Sequence, residues 1–256
     1  MTVPSPATRG EPFTTTDGWV VRMEKVALSV LVSSAPASSR AEGRGYGSAG
    51  WLFDAATPVA LYAPEIAVGS VRIGLALRGN YVFVGRQTQS DRRRIVGVSP
   101  EDVDRSNEAP EQGFDDPYVG AGGQSSFGEG PSILLRLRAE RGGKVVTMDL
   151  RLAVSSFVDA ARSGAIVDVI EDDIVTRPAE IRIEELLRDG NGRIAFSELA
   201  AADKDGDGRV TMPELRATTT TCKCPITAPA HNDVPFAKPD LVDLLELNAA
   251  KTLVPR

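Results

Sequence analysis

The sequence is poor in aromatic residues, histidine and cysteine, and it lacks any long apolar run. Aromatic residues make up 5% of the 256 residues, and the chain holds 2 cysteines and 1 histidine. Because a membrane-spanning helix needs about 20 apolar residues in succession, we expect no transmembrane segment. The single histidine leaves little for a Ser-His-Asp triad, and the Walker loop, the H-E-x-x-H motif and the dinucleotide fingerprint are all missing. These absences favour a binding protein over an enzyme.

Positive charge is also not in excess. The chain has 29 Lys and Arg against 35 Asp and Glu, for a net charge of −6. This balance argues against nucleic acid or an anionic membrane as the main partner, so we expect an unidentified protein or surface ligand instead. The 24 glycines and 17 prolines favour short strands joined by turns over a helical bundle.

Apolar residues alternate with other residues in several stretches, which is the pattern of half-buried strands. The clearest stretches are 26–32 and two predicted hairpins, one joining 71–77 to 81–84 and one joining 133–137 to 146–154. Shorter predicted strands cover 51–53, 59–62, 166–170 and 180–183. We therefore predict a mainly β fold, an antiparallel β-sandwich, with a closed barrel as the alternative architecture.

Two helices are predicted outside this sheet structure. Ser99 and Pro100 have the residue types of an N-cap and a first helical position, so a short helix is expected to begin there. Near the other end, residues 239–248 place Leu241, Leu244 and Leu245 on one helical face, which predicts an amphipathic helix docked on the domain.

The most informative stretch runs from Asp203 to Glu214. Acidic residues occupy its first, third, fifth and twelfth positions (Asp203, Asp205, Asp207, Glu214), and Gly208 occupies the sixth, where the chain must bend sharply. Arg209 would offer its backbone carbonyl, and Thr211 would bind directly or through a water. This stretch resembles the calcium loop of the EF-hand family, and the resemblance implies one bound calcium ion, since a bidentate Glu214 suits calcium better than magnesium.

A second, degenerate version of the loop precedes it at residues 187–198. Gly192 and Glu198 keep the sixth and twelfth positions, but Leu187 stands where the first acidic ligand belongs, so tight ion binding is not expected. Paired EF-hand loops join at their eighth positions in a small antiparallel bridge. The resemblance would therefore pair Ile194 with Val210, and a helix is expected at 196–202.

Cys222, Cys224 and His231 lie close together in the sequence and leave three alternatives open. In an oxidising compartment the two cysteines would form a local disulfide, whose short ring would rigidify a turn more than stabilise the fold. Alternatively, both thiolates and His231 would bind copper or zinc, with the fourth ligand not visible in the sequence. Free thiols are the third alternative.

Composition changes along the chain predict five segments. They are a disordered lead-in (1–16), a β-sandwich domain (17–176), an α-helical EF-hand-like calcium-binding segment (177–218), an extended tail with a terminal helix (219–252) and a remnant resembling a thrombin site (253–256). The Pro/Thr-rich start resembles the tether of a mature protein, lipid-anchored or otherwise exported, from which the export signal has been removed.

The β-rich body followed by this acidic segment resembles uncharacterised secreted bacterial β-sandwich proteins. It is also similar in layout to the periplasmic partners of methanobactin-type copper handling. We therefore expect a periplasmic or extracellular calcium-binding protein in which calcium is structural and the β-domain is an interaction module. The alternative is a periplasmic copper- or redox-handling protein that uses Cys222, Cys224 and His231.

Overall fold

The computed structural model shows a mainly β protein with a few short helices. It describes residues 1–36, 47–61, 69–77, 81–83, 93–107, 127–129, 131–152, 166–169, 178–222, 240–249 and 251–255. The strands are β1 (Thr2–Pro4), β2 (Phe13–Thr14), β3 (Val20–Pro36), β4 (Gly47–Asp54), β5 (Gly69–Leu77), β6 (Tyr81–Phe83), β7 (Arg94–Val96), β8 (Phe127–Glu129), β9 (Ile133–Arg141), β10 (Lys144–Leu152), β11 (Ile166–Val169), β12 (Ala179–Ile181), β13 (Arg209–Val210) and β14 (Leu253–Pro255). The helices are α1 (Pro100–Asn107), a 3-10 helix (Ile183–Leu187), α2 (Ser197–Ala200), α3 (Met212–Arg216) and α4 (Leu241–Ala249).

The long strand β3 organises the main sheet. It pairs with β9 along its first half, with β5 along its second half, and with β2 and β4 on its other edge. Its buried residues change from odd positions, such as Val21 and Met23, to even positions, such as Val26 and Leu28. A register shift between Met23 and Lys25 explains the change, because one extra residue reverses which face the following side chains occupy. The shift therefore keeps the apolar residues in the core.

The main sheet has nine strands and follows the order β11-β5-β3-β9-β10-β13, with β2, β4 and β7 attached to one side. The predicted hairpin at 133–154 is confirmed as β9 and β10, which turn at Gly142 and Gly143, both with positive φ. The predicted antiparallel arrangement holds for most pairings between the described strands, but three pairings are parallel. β4 pairs with β7, β10 with β13, and β1 with β12 in parallel.

The predicted hairpin that joins 71–77 to 81–84 is wrong. β5 pairs with β3 and β11, whereas β6 pairs with β8 in a separate two-stranded sheet. The predicted strand at 59–62 is not formed by its described residues 59–61. Instead the Val59 N–H donates to the Thr2 hydroxyl at 2.7 Å, and the Val59 carbonyl accepts from the Thr2 N–H at 2.8 Å. Alternation fixes which face a residue occupies, but it does not choose the neighbouring strand.

Both chain ends enter the fold, which corrects two predictions. β1 and β14 flank β12 in a three-stranded sheet, so residues 1–16 are not a disordered lead-in and 253–255 are not separate from the fold. The Thr8 hydroxyl reinforces this sheet by donating to the Ile181 carbonyl at 2.9 Å. These pairings satisfy backbone groups that would otherwise be exposed at the edges of β12.

One continuous apolar core joins the main sheet to the C-terminal half of the described chain. It includes Val21 and Leu137 from the main sheet, Ile181 from the small sheet, Leu215 from α3 and Leu245 from α4. The predicted boundaries at 177 and 219 therefore do not separate cores among the described residues. Helix α4 confirms the predicted terminal helix. The Asn248 side-chain amide on α4 donates to the carbonyls of Leu186 at 3.2 Å and Arg188 at 2.7 Å, beside the 3-10 helix.

Helix α1 begins at Pro100 as predicted, and a polar layer holds it on the sheet. The Asp102 N–H donates to the Ser99 hydroxyl at 3.3 Å, so Ser99 caps the helix. The carboxylate of Asp102 is buried and forms an ion pair with Lys25 from β3. Arg105 reaches Asp149 on β10. These contacts fasten α1 to β3 and β10, so the charged residues Lys25, Asp102, Arg105 and Asp149 serve to hold the scaffold together.

Candidate metal site

The loop from Asp203 to Glu214 is attached to the edge of the main sheet through its centre. Gly206 and Gly208 have φ values of +75° and +79°, a conformation that glycine adopts without steric cost. The Gly208 carbonyl accepts hydrogen bonds from the N–H of Thr147 at 2.9 Å and from its hydroxyl at 3.2 Å. A Cβ at position 208 would lie 3.1 Å from the Val145 carbonyl. Glycine at this position therefore permits both the bend and the close approach to β10.

Two residues of β13 continue this attachment. Arg209 pairs with Thr147 and Val210 pairs with Met148, in parallel. The predicted bridge between Ile194 and Val210 is therefore wrong, because Val210 pairs with β10 and Ile194 forms an antiparallel bridge with Arg188. Val210 is therefore held by the edge of the main sheet.

The loop ends in helix α3, whose first turn is fixed by Glu214. One oxygen of its carboxylate, Oε2, accepts hydrogen bonds from both the N–H and the hydroxyl of Thr211 at 2.8 Å, and the other, Oε1, accepts from the Lys204 N–H at 3.3 Å. Burial favours the neutral acid, but these hydrogen bonds outweigh it and hold the pKa of Glu214 below its usual range. Glu214 is thus ionised and directed back toward the start of the loop.

Three carboxylates converge in this loop. One ligand oxygen from each of Asp203, Asp205 and Glu214 lies within 4.8 Å of the others. The side chain of Asp203 is 1% exposed, and neither of its carboxylate oxygens has a hydrogen-bond partner. The Nζ atom of Lys144 lies 3.2 Å from Asp203 Oδ2, so it neutralises part of the charge as an ion pair without hydrogen-bond geometry. A buried carboxylate lacking donors is costly, and a cation at this cluster would relieve that cost.

The fourth predicted carboxylate ligand, Asp207, is not part of this cluster. Asp205 Oδ1 accepts from the Asp207 N–H at 3.2 Å, and Asp207 Oδ1 in turn accepts from the Arg209 N–H at 2.6 Å. The Thr211 hydroxyl is directed to Glu214. Asp203, Asp205 and Glu214 thus form an oxygen-rich, anionic group that could hold a metal ion, and it is the one such group found among the described residues.

The degenerate loop at 187–198 has the same glycine bend but different partners. Gly192 has a φ of +77°, matching Gly208. Asp189 accepts hydrogen bonds from the Arg193 N–H at 2.9 Å and from its guanidinium at 2.8 and 3.1 Å. Glu198 Oε1 accepts from the Thr221 N–H at 2.5 Å. The chain itself supplies donors to both carboxylates of this loop.

The degenerate loop is docked by the N-terminal segment. The Asp17 carboxylate accepts hydrogen bonds from the N–H groups of Phe196 and Ser197, and the Thr16 N–H donates to the Ile194 carbonyl at 2.9 Å. The Trp19 ring packs edge-on against Phe196, with the ring centroids 5.3 Å apart. Burial would raise the pKa of Asp17, but hydrogen bonds involving Thr15, Ser197 and Phe196 lower it to about 2.

Cys222 is disulfide-bonded, and Cys224, which is the only other cysteine of the chain, lies outside the described residues. His231 lies outside them as well. Cys222 packs directly on the degenerate loop, since a Cβ at Gly190 would lie 2.6 Å from the Cys222 Cα. Metal binding by cysteine requires a thiolate, so the disulfide removes Cys222 from the alternative copper or zinc site.

Two contributors to this region were missed by the sequence analysis. Lys144 and Asp17 are far from their partners along the chain, and each is a single charged residue with no motif around it. Comparison of the chain with protein-family models, with curated proteins and with solved structures found no match. The resemblance to EF-hands therefore stays a prediction from the residues of the loop. No described helix has the length and apolar character needed to cross a membrane.

Proposed function

We propose that this protein binds one calcium ion at the loop Asp203–Glu214 and that the ion is structural. The observation that carries the proposal is the Asp203 side chain, whose two buried oxygens lack hydrogen-bond partners beside the carboxylates of Asp205 and Glu214. Asp203, Asp205 and Glu214 would hold the ion, with Asp207, the Arg209 carbonyl and Thr211 as further candidates. The ion would supply positive charge and oxygen coordination, which ties the start of the loop to helix α3.

Calcium is favoured over other metals by the donor types. Carboxylate and carbonyl oxygens are hard ligands, whereas zinc and copper sites use mainly nitrogen and sulfur. Magnesium prefers a small octahedral shell that keeps several waters, and the twelve-residue spacing with a terminal glutamate is typical of calcium loops. The single disulfide-bonded Cys222 gives no support to the copper alternative.

A structural role is favoured over a signalling role by the way the loop is anchored. A sensor EF-hand opens a pair of helices when calcium binds. Here β13 is already paired with β10, and Arg216 on α3 lies 3.0 Å from both Asp240 and Asp243 near the start of α4. Moving α3 would break a sheet pairing and two ion pairs, so the ion would order the loop without opening it.

We further propose that the sheets pack as a β-sandwich that serves as an interaction module outside the cytoplasm. Support for the sandwich comes from the core, in which Ile181 of the small sheet joins residues of the main sheet in one cluster. Support for the location comes from the disulfide at Cys222, because disulfides persist in oxidising compartments. A calcium site outside the cytoplasm would remain filled, which fits a structural ion.

Calcium titration by isothermal calorimetry tests the proposed function. We expect one ion per chain, and we expect Asp203→Asn or Glu214→Gln to weaken binding on the order of a hundredfold, because each removes a charged ligand. Glu198→Gln is the matched control, since Glu198 holds the twelfth position of the degenerate loop, and it should leave the affinity unchanged. The proposal is wrong if the wild-type protein does not bind calcium at millimolar concentration, or if Glu198→Gln and Glu214→Gln cause equal losses.

A further inference from the structure

We propose that Lys144 is the resident counter-ion of Asp203 and that calcium must displace its ammonium group to bind. Lys144 would thereby lower the calcium affinity of the loop and stabilise the metal-free protein. This inference rests on the proposed calcium site. It adds to that site a residue of the β9–β10 hairpin, which lies outside the loop Asp203–Glu214.

The first support is the geometry of the pair. Lys144 Nζ lies 3.2 Å from Asp203 Oδ2, and the Asp203 side chain is 1% exposed. Both carboxylate oxygens of Asp203, Oδ1 and Oδ2, lack a hydrogen-bond donor. The ammonium of Lys144 therefore compensates the charge of this buried carboxylate.

The second support is the charge of the cluster. Asp203, Asp205 and Glu214 each carry a negative charge when ionised, and their ligand oxygens lie within 4.8 Å of one another. Unit charges at such distances repel strongly near a protein surface. One lysine offsets part of this repulsion, and a divalent ion with several coordination bonds would offset more. The two cations would compete for the same oxygen of Asp203.

The third support is that Lys144 can leave. Its side chain is 50% exposed, in contrast to Asp203, and its backbone lies immediately after the Gly142–Gly143 turn that closes the β9–β10 hairpin. The ammonium can rotate into solvent while β10 stays paired with β9 and β13. Displacement thus requires only a change of side-chain rotamer.

The experiment measures calcium affinity and metal-free stability for the same variants. Lys144→Met keeps the aliphatic stem and removes the charge, and we expect calcium to bind about three- to tenfold more tightly, as removal of a partly exposed neighbouring charge predicts. In EGTA the same variant should melt at a lower temperature than the wild type. Lys144→Arg should behave as the wild type. Lys251→Met, which removes a charge that contacts Asn248 instead, is the control for net charge and should leave the affinity unchanged.

A double-mutant cycle in EGTA separates this inference from the proposed function. Lys144→Met and Asp203→Asn should be coupled in their effect on unfolding, with the double variant losing less stability than the two single variants together. If Lys144→Met leaves calcium affinity unchanged or weakens it, or if the cycle shows no coupling, the inference is wrong while the calcium site stands. If the wild-type protein binds no calcium but the coupling is present, the ion pair is real and the proposed function fails.

Discussion

The two acidic loops of this protein have the same glycine bend but satisfy their carboxylates in different ways. In the loop at 187–198, Asp189 is paired with Arg193, and Glu198 accepts a hydrogen bond from Thr221. In the loop at 203–214, the buried oxygens of Asp203 have no hydrogen-bond donor, and Lys144 supplies one charge from outside the loop. A bound cation could therefore serve the loop at 203–214, where the chain leaves acceptors unsatisfied, and not the loop at 187–198.

The first positions of the two loops explain this divergence. Leu187 is 2% exposed and belongs to the apolar core, so the degenerate loop at 187–198 begins inside the protein. Asp203 begins the loop at 203–214, and its side chain is as buried as that of Leu187 but carries a carboxylate. An apolar side chain gains free energy from burial, whereas an ionised carboxylate loses it unless a cation or donors compensate. The same backbone position therefore acts as a core residue in one loop and as a candidate ligand in the other.

The most destabilising change that we expect is to give the degenerate loop at 187–198 its missing acid. Leu187→Asp should cost at least about 3 kcal/mol of unfolding free energy, because it places an unpaired carboxylate in the core, and it should not add a second calcium ion. Urea denaturation and calcium stoichiometry check the two parts. Leu187→Met, which conserves volume, is the control and should cost less than about 1.5 kcal/mol. A second bound ion with unchanged stability would contradict the comparison.

Removing calcium should reduce the order of the loop at 203–214 and leave the degenerate loop at 187–198 unchanged. If free calcium is about a hundredfold above the dissociation constant, binding contributes about 2.7 kcal/mol, so EGTA should lower the melting temperature by several degrees. Amide hydrogen exchange should show lost protection in residues 203–215. Strands β3 and β9, which are central in the main sheet, provide the internal reference and should remain protected. Equal loss of protection in those strands would overturn the structural role of the ion.

The smallest loss of stability is expected from a change at Asp17, which docks the degenerate loop at 187–198. The pKa of Asp17 is lowered to about 2 from an unfolded value near 3.8, so its carboxylate stabilises the fold above pH 3.8 and this contribution disappears as the pH falls through 2. After allowance for partial exposure, Asp17→Ala should cost about 1–2 kcal/mol at pH 7. The difference between the variant and the wild type should shrink as the pH falls from 3.8 and vanish only below pH 2.

Glu11→Gln provides the matched control for Asp17, since Glu11 forms an exposed ion pair with Arg9 in the same N-terminal segment. It should change stability by less than about 0.5 kcal/mol at pH 7. Chemical denaturation across pH measures both variants. A pH-independent loss from Asp17→Ala would show that the side chain acts through packing and not through its charge.

Local patterns in the sequence predicted much of the secondary structure correctly. The hairpin at β9 and β10, the start of α1 and the terminal helix all depend on periodicity, turn residues and caps within a few residues of each other. The predicted hairpin of 71–77 with 81–84 failed, because β5 and β6 each pair with strands distant in sequence. The chain ends were misjudged for the same reason, since β1 and β14 are ordered by pairing with β12 and not by their own composition.

Residue types at short, regular intervals were enough to identify the acidic spacing of the loop, its glycine bend and the leucine at position 187 that distinguishes the degenerate loop. The folded chain was needed to show that Val210 pairs with β10 and not with Ile194, that Asp203 is buried without donors and that Lys144 compensates its charge. Burial and charge compensation depend on residues brought together from distant parts of the chain. Pairwise contacts of that kind carry no local signal, so they emerge only when the sheet assembles.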